Sequence, residues 1–133
     1  PTEYDMMSPK TLHARTAALL IPDRYPQLAD PRLISAVRWH RTGREGMSVC
    51  DKIIYFADYI DDTRTYDDCV KLRGLFFGAE PEKMDADARM RHFDRLIVMS
   101  FDMTLAELVG KGSLISADTV NARNFILCGL KNR

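Results

Sequence analysis

The sequence predicts an all-α fold, and three observations carry that reading. Helix start signals recur along its 133 residues, and apolar residues fall at helical spacing. Strand signals are weak, with no alternating run and no Asn-Gly hairpin.

Taken in order, Ser8-Pro9 puts a capping residue before a proline at the first helical position. It predicts a helix that runs to about Ile21 and stops before Pro22. Asp30-Pro31 repeats the signal, and Leu33, Val37 and His40 then share one helix face until Gly43 and Gly46 break it. Ser48 and Asp51 form a capping box, with Asp in place of the usual Glu. The helix behind it carries Ile53, Phe56, Ala57 and Ile60 on its apolar face. Residues 61–68, DDTRTYDD, read as a polar loop. A short helix from about Val70 to Phe77 follows, ended by Gly78 and Pro81. Asp85 caps the longest helix, to about Val109, with Phe93, Ile97, Phe101, Leu105 and Leu108 in one stripe. Gly110-Lys111-Gly112 closes it, and Ser116 caps a last helix to about Cys128. Connections of a few residues join these helices into a bundle, and Met90, Met99 and Met103 read as core filler.

Composition bounds the partners. Nineteen Lys and Arg balance nineteen Asp and Glu, so no global field draws in nucleic acid or an anionic membrane. A hydrophobic content of 46% is that of a chain able to build a core rather than of a disordered one. No apolar run approaches the ~20 residues of a transmembrane helix, and the start, PTEYDMMSPK, lacks an apolar signal segment. Cys50, Cys69 and Cys128 form no C-x-x-C pair and read as reduced thiols of a cytoplasmic protein.

Three histidines occur. His13 falls within the first predicted helix and His40 at the end of the second, whereas His92 follows Arg91 on a polar face and reads as a surface residue. Asp58 sits inside the apolar stretch IIYFADYI, where a carboxylate is costly unless paired, hydrogen-bonded or bound to metal. His13, His40 and Asp58 come from three different helices, the way helical bundles assemble metal sites. Equally, a lone helical histidine is more often a hydrogen-bonded structural residue, and a rotated helix brings Asp58 to solvent. Arg38, Arg41 and Arg44 surround Thr42-Gly43, a combination that suits phosphate oxygens, and Lys52 and Arg64 bracket the third helix. A solvated helix end favoured by the C-terminal dipole explains the same arginines, and on composition alone explains them better.

The stretch from Arg38 to Arg64, RWHRTGREGMSVCDKIIYFADYIDDTR, resembles the YqeK family of HD-domain metallophosphohydrolases, which cleave diadenosine tetraphosphate symmetrically. Trp39-His40, Thr42-Gly43, Met47, Lys52 to Tyr55, Ala57 to Ile60 and Arg64 carry the resemblance. Leu12-His13 and the tail from Lys111 to Asn124 extend it over nearly the whole chain. It implies an HD-domain-like helical bundle that holds one or two divalent transition ions, iron by association. His13, His40 and Asp58 would be the ligands, with Asp58 and His40 catalytic, and Thr42, Gly43, Arg44, Lys52 and Arg64 would lie near the polyphosphate. The ligand would be a dinucleoside polyphosphate or an ADP-like nucleotide.

The departures are as specific. There is no His-Asp dipeptide, and no histidine precedes His13, where the family has its first metal-binding motif. Arg41 stands where Thr is usual, and Asp61-Asp62-Thr63 where Glu-Pro-Gly is usual. A start at Pro1 without Met leads us to expect residues 1–133 to be the C-terminal part of a longer single domain. The competing expectation is a natural half that binds a nucleotide, or serves regulation, without cleaving. A bundle lacking its N-terminal helices would expose an apolar face and favour a homodimer. The remaining alternative is a helical interaction domain with no small-molecule site.

Overall fold

A computed structural model describes residues 2–132. Seven α-helices run through these residues, and no strand occurs among them. They are α1 (Glu3–Met7), α2 (Pro9–Arg24), α3 (Pro31–Trp39), α4 (Val49–Ile60), α5 (Asp67–Gly78), α6 (Ala86–Gly110) and α7 (Ala117–Lys131). Short 3₁₀ turns follow α2, at Pro26–Leu28, and precede α6, at Pro81–Lys83. The expected all-α bundle is thus observed.

The capping residues act as their sequence positions suggest. Asp30 accepts from the Arg32 amide, Asp85 from Ala88 and Ser116 from Asp118, each supplying an amide the first turn leaves orphaned. At α4 both halves of the Ser48/Asp51 box form: Ser48 Oγ accepts from the Asp51 amide, and Asp51 Oδ2 accepts from the Ser48 amide. Two expectations need correction. The helix begun at Pro9 continues through Pro22 to Arg24, because only one turn follows the proline and little of the helix loses its hydrogen bonds. Ser8 precedes that helix but makes no side-chain cap; its hydroxyl meets Thr11 Oγ1 instead, at 3.1 Å. The turn before it is the short helix α1, capped by a Thr2/Asp5 box of the kind seen at Ser48.

The core lies between α4, α5, α6 and α7. Leu72, Ile97, Phe101 and Ala122 are wholly buried, with Tyr55, Phe56, Leu96 and Ile126 around them. Each of the large apolar side chains contributes roughly 1.5–3 kcal/mol by leaving water. Tyr55 stacks on Phe101 with centroids 4.7 Å apart, and Phe56 meets Phe76 and Phe93 edge-on at 5.4 Å. The inward face of α4 is therefore Tyr55, Phe56 and Ile60. Ile53 and Ala57, expected on that face, are exposed. They border an open apolar groove with Val49, Phe77 and Met90, so Met90 is a groove residue rather than core filler. His92 is also corrected: it is half-buried, lies parallel to the Phe76 ring at 6.0 Å, and its Nε2 has no hydrogen-bond partner.

The segment 40–48 between α3 and α4 is held on the core at Gly43 and at the buried Met47. Gly43 has φ of +70°, and a Cβ there would lie 2.8 Å from Phe101 Cζ and 3.1 Å from Ala122 Cβ. One residue earlier, the Thr42 carbonyl accepts from Thr119 Oγ1 at 2.8 Å, and the buried Thr42 hydroxyl donates to the Gly43 carbonyl. Gly46 shares the positive φ of +70° but has open space around it. Gly46→Ala should therefore cost about 1 kcal/mol, the left-handed backbone penalty alone. Gly43→Ala should cost about 2–4 kcal/mol, since overpacking adds to that penalty. Urea unfolding of the two variants beside the parent protein measures the difference.

Candidate functional site: a basic cleft at the start of α2

Five side chains capable of phosphate or metal chemistry converge on one side of the bundle. A cleft of about 420 Å³ is lined by Pro9, Lys10 and His13 from the first turns of α2, His40 and Arg41 after α3, and Arg64 after α4. No carboxylate lines it among the described residues. The α2 N-terminus adds the positive end of a helix dipole.

Each side chain is placed by a local device. His40 caps the C-terminus of α3, and its Nδ1 lies 2.6 Å from the Val37 carbonyl. A carbonyl can only accept, so Nδ1 carries the proton and, in the neutral ring, Nε2 bears the lone pair. This is the arrangement of an imidazole poised to ligate a metal or to accept a proton. His13 is exposed on α2. Arg64 closes a turn in which its amide donates to the Asp61 carbonyl, while Asp61 Oδ1 accepts from the Thr63 amide and hydroxyl. The Thr63 hydroxyl and amide hold the Asp61 carboxyl below its usual range.

Arg73, on α5, then fixes that turn. Its Nε donates to the Ile60 carbonyl at 2.7 Å, and its Nη2 to the carbonyls of Arg64, at 2.8 Å, and Asp61. Sequence reasoning did not single out Arg73. Its one signal is a guanidinium in the apolar run from Leu72 to Phe77, where an arginine needs acceptors.

Asp58 does not line the cleft; it holds two residues that do. Its Oδ2 accepts from Arg64 Nη2 at 3.0 Å, and Arg41 Nη1 lies 3.6 Å from the same oxygen. All three side chains are partly exposed, so the pairing counts for geometry more than for stability.

The other phosphate-side candidates are engaged elsewhere. Thr42 and Gly43 are buried against α6 and α7. Arg44 Nη2 pairs with the buried Asp51 at 3.3 Å, and Asp51 Oδ1 also accepts from Ser35. Lys52 donates to Asp94, which is 2% exposed, at 2.8 Å. Arg38 lies over the Trp39 ring at 4.0 Å. Of Arg38, Arg41 and Arg44, only Arg41 reaches the cleft; of the five phosphate-side residues, only Arg64 does.

Two imidazoles and a carboxylate are chemically suited to a divalent transition ion. The arrangement is not: among the described residues no three His, Cys, Asp or Glu side chains come together to hold one. Asp58, moreover, is committed to two guanidiniums. The metal that the resemblance implies does not fit the residues present.

No family model matches the chain. A crystal structure from Clostridium acetobutylicum, described as a predicted HD superfamily hydrolase involved in NAD metabolism, superposes with a TM-score of 0.78 at 27% identity. The match covers 97% of this chain and 61% of that one. The chain therefore has the helical-bundle fold of an HD-superfamily hydrolase. Two curated relatives are more specific, and both are named symmetrical bis(5'-nucleosyl)-tetraphosphatase. One, from Bacillus subtilis, is 28% identical over 122 residues, 92% of this chain and 58% of its own length. The other, from Halalkalibacterium halodurans, is 30% identical over 116 residues, 87% of this chain and 54% of its own length. The chain is thus a relative of the YqeK-like tetraphosphatases that residues 38–64 resemble, and spans little more than half the length of the curated relatives it matches.

Two outcomes test how the site is held. Lys52→Ala breaks a buried ion pair and should lower stability by about 3–5 kcal/mol, read by urea unfolding. Arg73→Ala should raise amide hydrogen exchange at 61–64 about tenfold or more while exchange in α6 stays unchanged, because several carbonyl contacts are lost at once.

Proposed function

We propose that this chain is part of a phosphohydrolase acting on dinucleoside polyphosphates, diadenosine tetraphosphate to two ADP, and that the α2 cleft holds the polyphosphate. One observation carries the reading. A cleft lined by Lys10, His13, His40, Arg41 and Arg64, with no carboxylate among the described residues, occurs in a relative of proteins named for that substrate. Hydrolysis of such a chain of phosphates adds water across a P–O–P bond and leaves additional negative charge on both products. Two guanidiniums and an ammonium aimed at the polyphosphate offset that charge as it develops. His40, its Nδ1 proton held by the Val37 carbonyl, presents Nε2 to accept a proton from water or to bind an ion.

Thr42 and Gly43 serve this function indirectly, by setting the 40–48 segment on the core, and Arg44 and Lys52 by fixing the start of α4. A divalent ion, iron in the reading of the resemblance, would supply Lewis-acid chemistry when bound. His13, His40 and Asp58, the donors the resemblance implies for it, do not come together as a site among the described residues. The free thiols of Cys50, Cys69 and Cys128 suit a cytoplasmic setting.

A second reading, a nucleotide-binding module that does not cleave, is favoured by the absence of an assembled metal-donor cluster among the described residues. Product analysis separates the two. Incubation of the chain with diadenosine tetraphosphate and manganous, cobaltous or ferrous ion should give ADP as the sole nucleotide product. Folded protein that yields no ADP, yet retains ADP binding by calorimetry, would sink the hydrolase reading for this chain and establish the second.

A further inference from the structure

We propose that the apolar groove between α4, α5 and α6 is the interface of a twofold homodimer, in which Phe77 of each copy enters the hollow beside Ala57 and Ala86 of the other. The groove shares no lining residue with the α2 cleft, and the inference does not depend on the function proposed for that cleft.

The sequence of α4 calls for a cover. Tyr55, Phe56 and Ile60 take one side of the helix into the core. Val49, Ile53 and Ala57 repeat the apolar pattern on the outer side, one residue per turn over about 12 Å. A helix that is apolar all round is one covered on every side. Here the outer stripe is open, with Val49 50% and Ile53 51% exposed. Together with Phe77 and Met90 it borders a groove of about 580 Å³. Single exposed apolar residues need no explanation, but a contiguous apolar surface marks a place of contact.

Charge and shape select a second copy as the occupant. A patch that pairs with itself about a twofold axis sets its charges against their own copies, so it must be close to neutral. The three charged residues of α4 are paired elsewhere: Asp51 with Arg44, Lys52 with Asp94 and Asp58 with Arg64. Among the described lining residues only Arg89 is charged, and the carbonyls of Pro81 and Met84 hold its guanidinium at 3.0 and 2.9 Å. Asp85 and Asp87 flank Ala86 without lining the groove, which puts them with Arg89 on the polar rim that surrounds an interface core. The whole chain is neutral, nineteen cations against nineteen anions, so two copies meet without net repulsion. Self-pairing also needs a knob and a hollow on the same patch. Phe77 is 61% exposed on the groove wall, with its ring edge-on to Phe76 at 5.1 Å. Ala57 and Ala86, the smallest side chains of the lining, leave the hollow. Four phenylalanines and a methionine among eleven lining residues give the aromatic, charge-poor make-up of an interface core.

Sedimentation equilibrium over micromolar concentrations tests the arrangement, with far-UV circular dichroism confirming that each variant folds. The parent protein should sediment as a dimer. Phe77→Ala removes the knob and Ala57→Trp fills the hollow, and each should weaken dimerisation about tenfold or more, as central anchors do. Ala57→Trp also separates fit from mere apolar adhesion, which the added indole would strengthen; tighter association of this variant would overturn the inference. Mixed in equal amounts, the two variants should form a heterodimer more readily than either forms a homodimer. One socket is then intact, and the other has lost the knob that the tryptophan would meet. Phe125→Ala changes an aromatic on α7 that is 51% exposed outside the groove, and should leave the dimer unchanged. A dimer lost in Phe125→Ala but kept in Ala57→Trp would place the interface elsewhere and overturn the inference. Should Phe77→Ala not fold, an Ile53→Glu variant as dimeric as the parent would overturn it as well. So would a monomeric parent protein. If that monomer also bound 8-anilinonaphthalene-1-sulfonate, and Ile53→Glu did not, the groove would be open to a different polypeptide.

Discussion

The approach of Gly43 to Phe101 and Ala122 is the constraint on which the rest of the site depends. The segment from His40 to Ser48 has no regular structure of its own, yet it carries two residues of the cleft at its start and the cap of α4 at its end. It keeps one position because it touches the core where only a glycine fits, with Thr42 bonded to Thr119 beside it. Packing that leaves no room for a methyl group is stiff in a way that a surface hydrogen bond is not. The core therefore positions the cleft through this contact and through Met47 beside it: Phe101 sets Gly43, Gly43 sets Arg41 and His40, and Ser48 starts the helix that carries Asp58.

The helix ends were legible in the sequence because capping is local chemistry. Asp30, Ser48, Asp51, Asp85 and Ser116 each satisfy amides within three residues, so no tertiary information was needed to find them. The same rule was available at Thr2 and Asp5, where the T-x-x-D spacing opens α1, and a polar, helix-poor start concealed it. The inward face of α4 was not legible, because Ile53, Ile54, Tyr55 and Phe56 are consecutive and apolar on every side. The stacking of Tyr55 on Phe101 and the edge-on packing of Phe56 against Phe76 and Phe93 decide which of them turn inward.

The site was legible by composition and less so by role. His13, His40 and Arg64 were all expected near the substrate, and the fold brings them to one candidate cleft. Lys52 and Arg44, chosen because cations suit phosphates, hold Asp94 and Asp51 instead. A buried carboxylate is costly without a cation beside it, and the nearest cation in space can be 42 residues away in sequence, as Lys52 is from Asp94. Sequence spacing cannot show that competition. Arg73 was missed for the complementary reason: it acts on backbone carbonyls, which every residue has and no motif records.

Asp58 shows why a residue's type does not fix its task. A carboxylate among apolar neighbours must be neutralised, and a divalent ion or a pair of guanidiniums can each do so. The two solutions build different sites. An ion on Asp58 would bring the cleft a localised charge with open coordination positions, able to polarise a phosphoryl oxygen and a water together. Two guanidiniums bring donors in fixed planes, which recognise a phosphate's shape and stabilise its charge but do not activate water at neutral pH. The chain as described has the second arrangement, with His40 Nε2 the one group on the cleft wall whose lone pair is set free by a defined hydrogen bond. On the proposed reading, these residues therefore offer donors for holding a phosphate more completely than they offer groups for cleaving one.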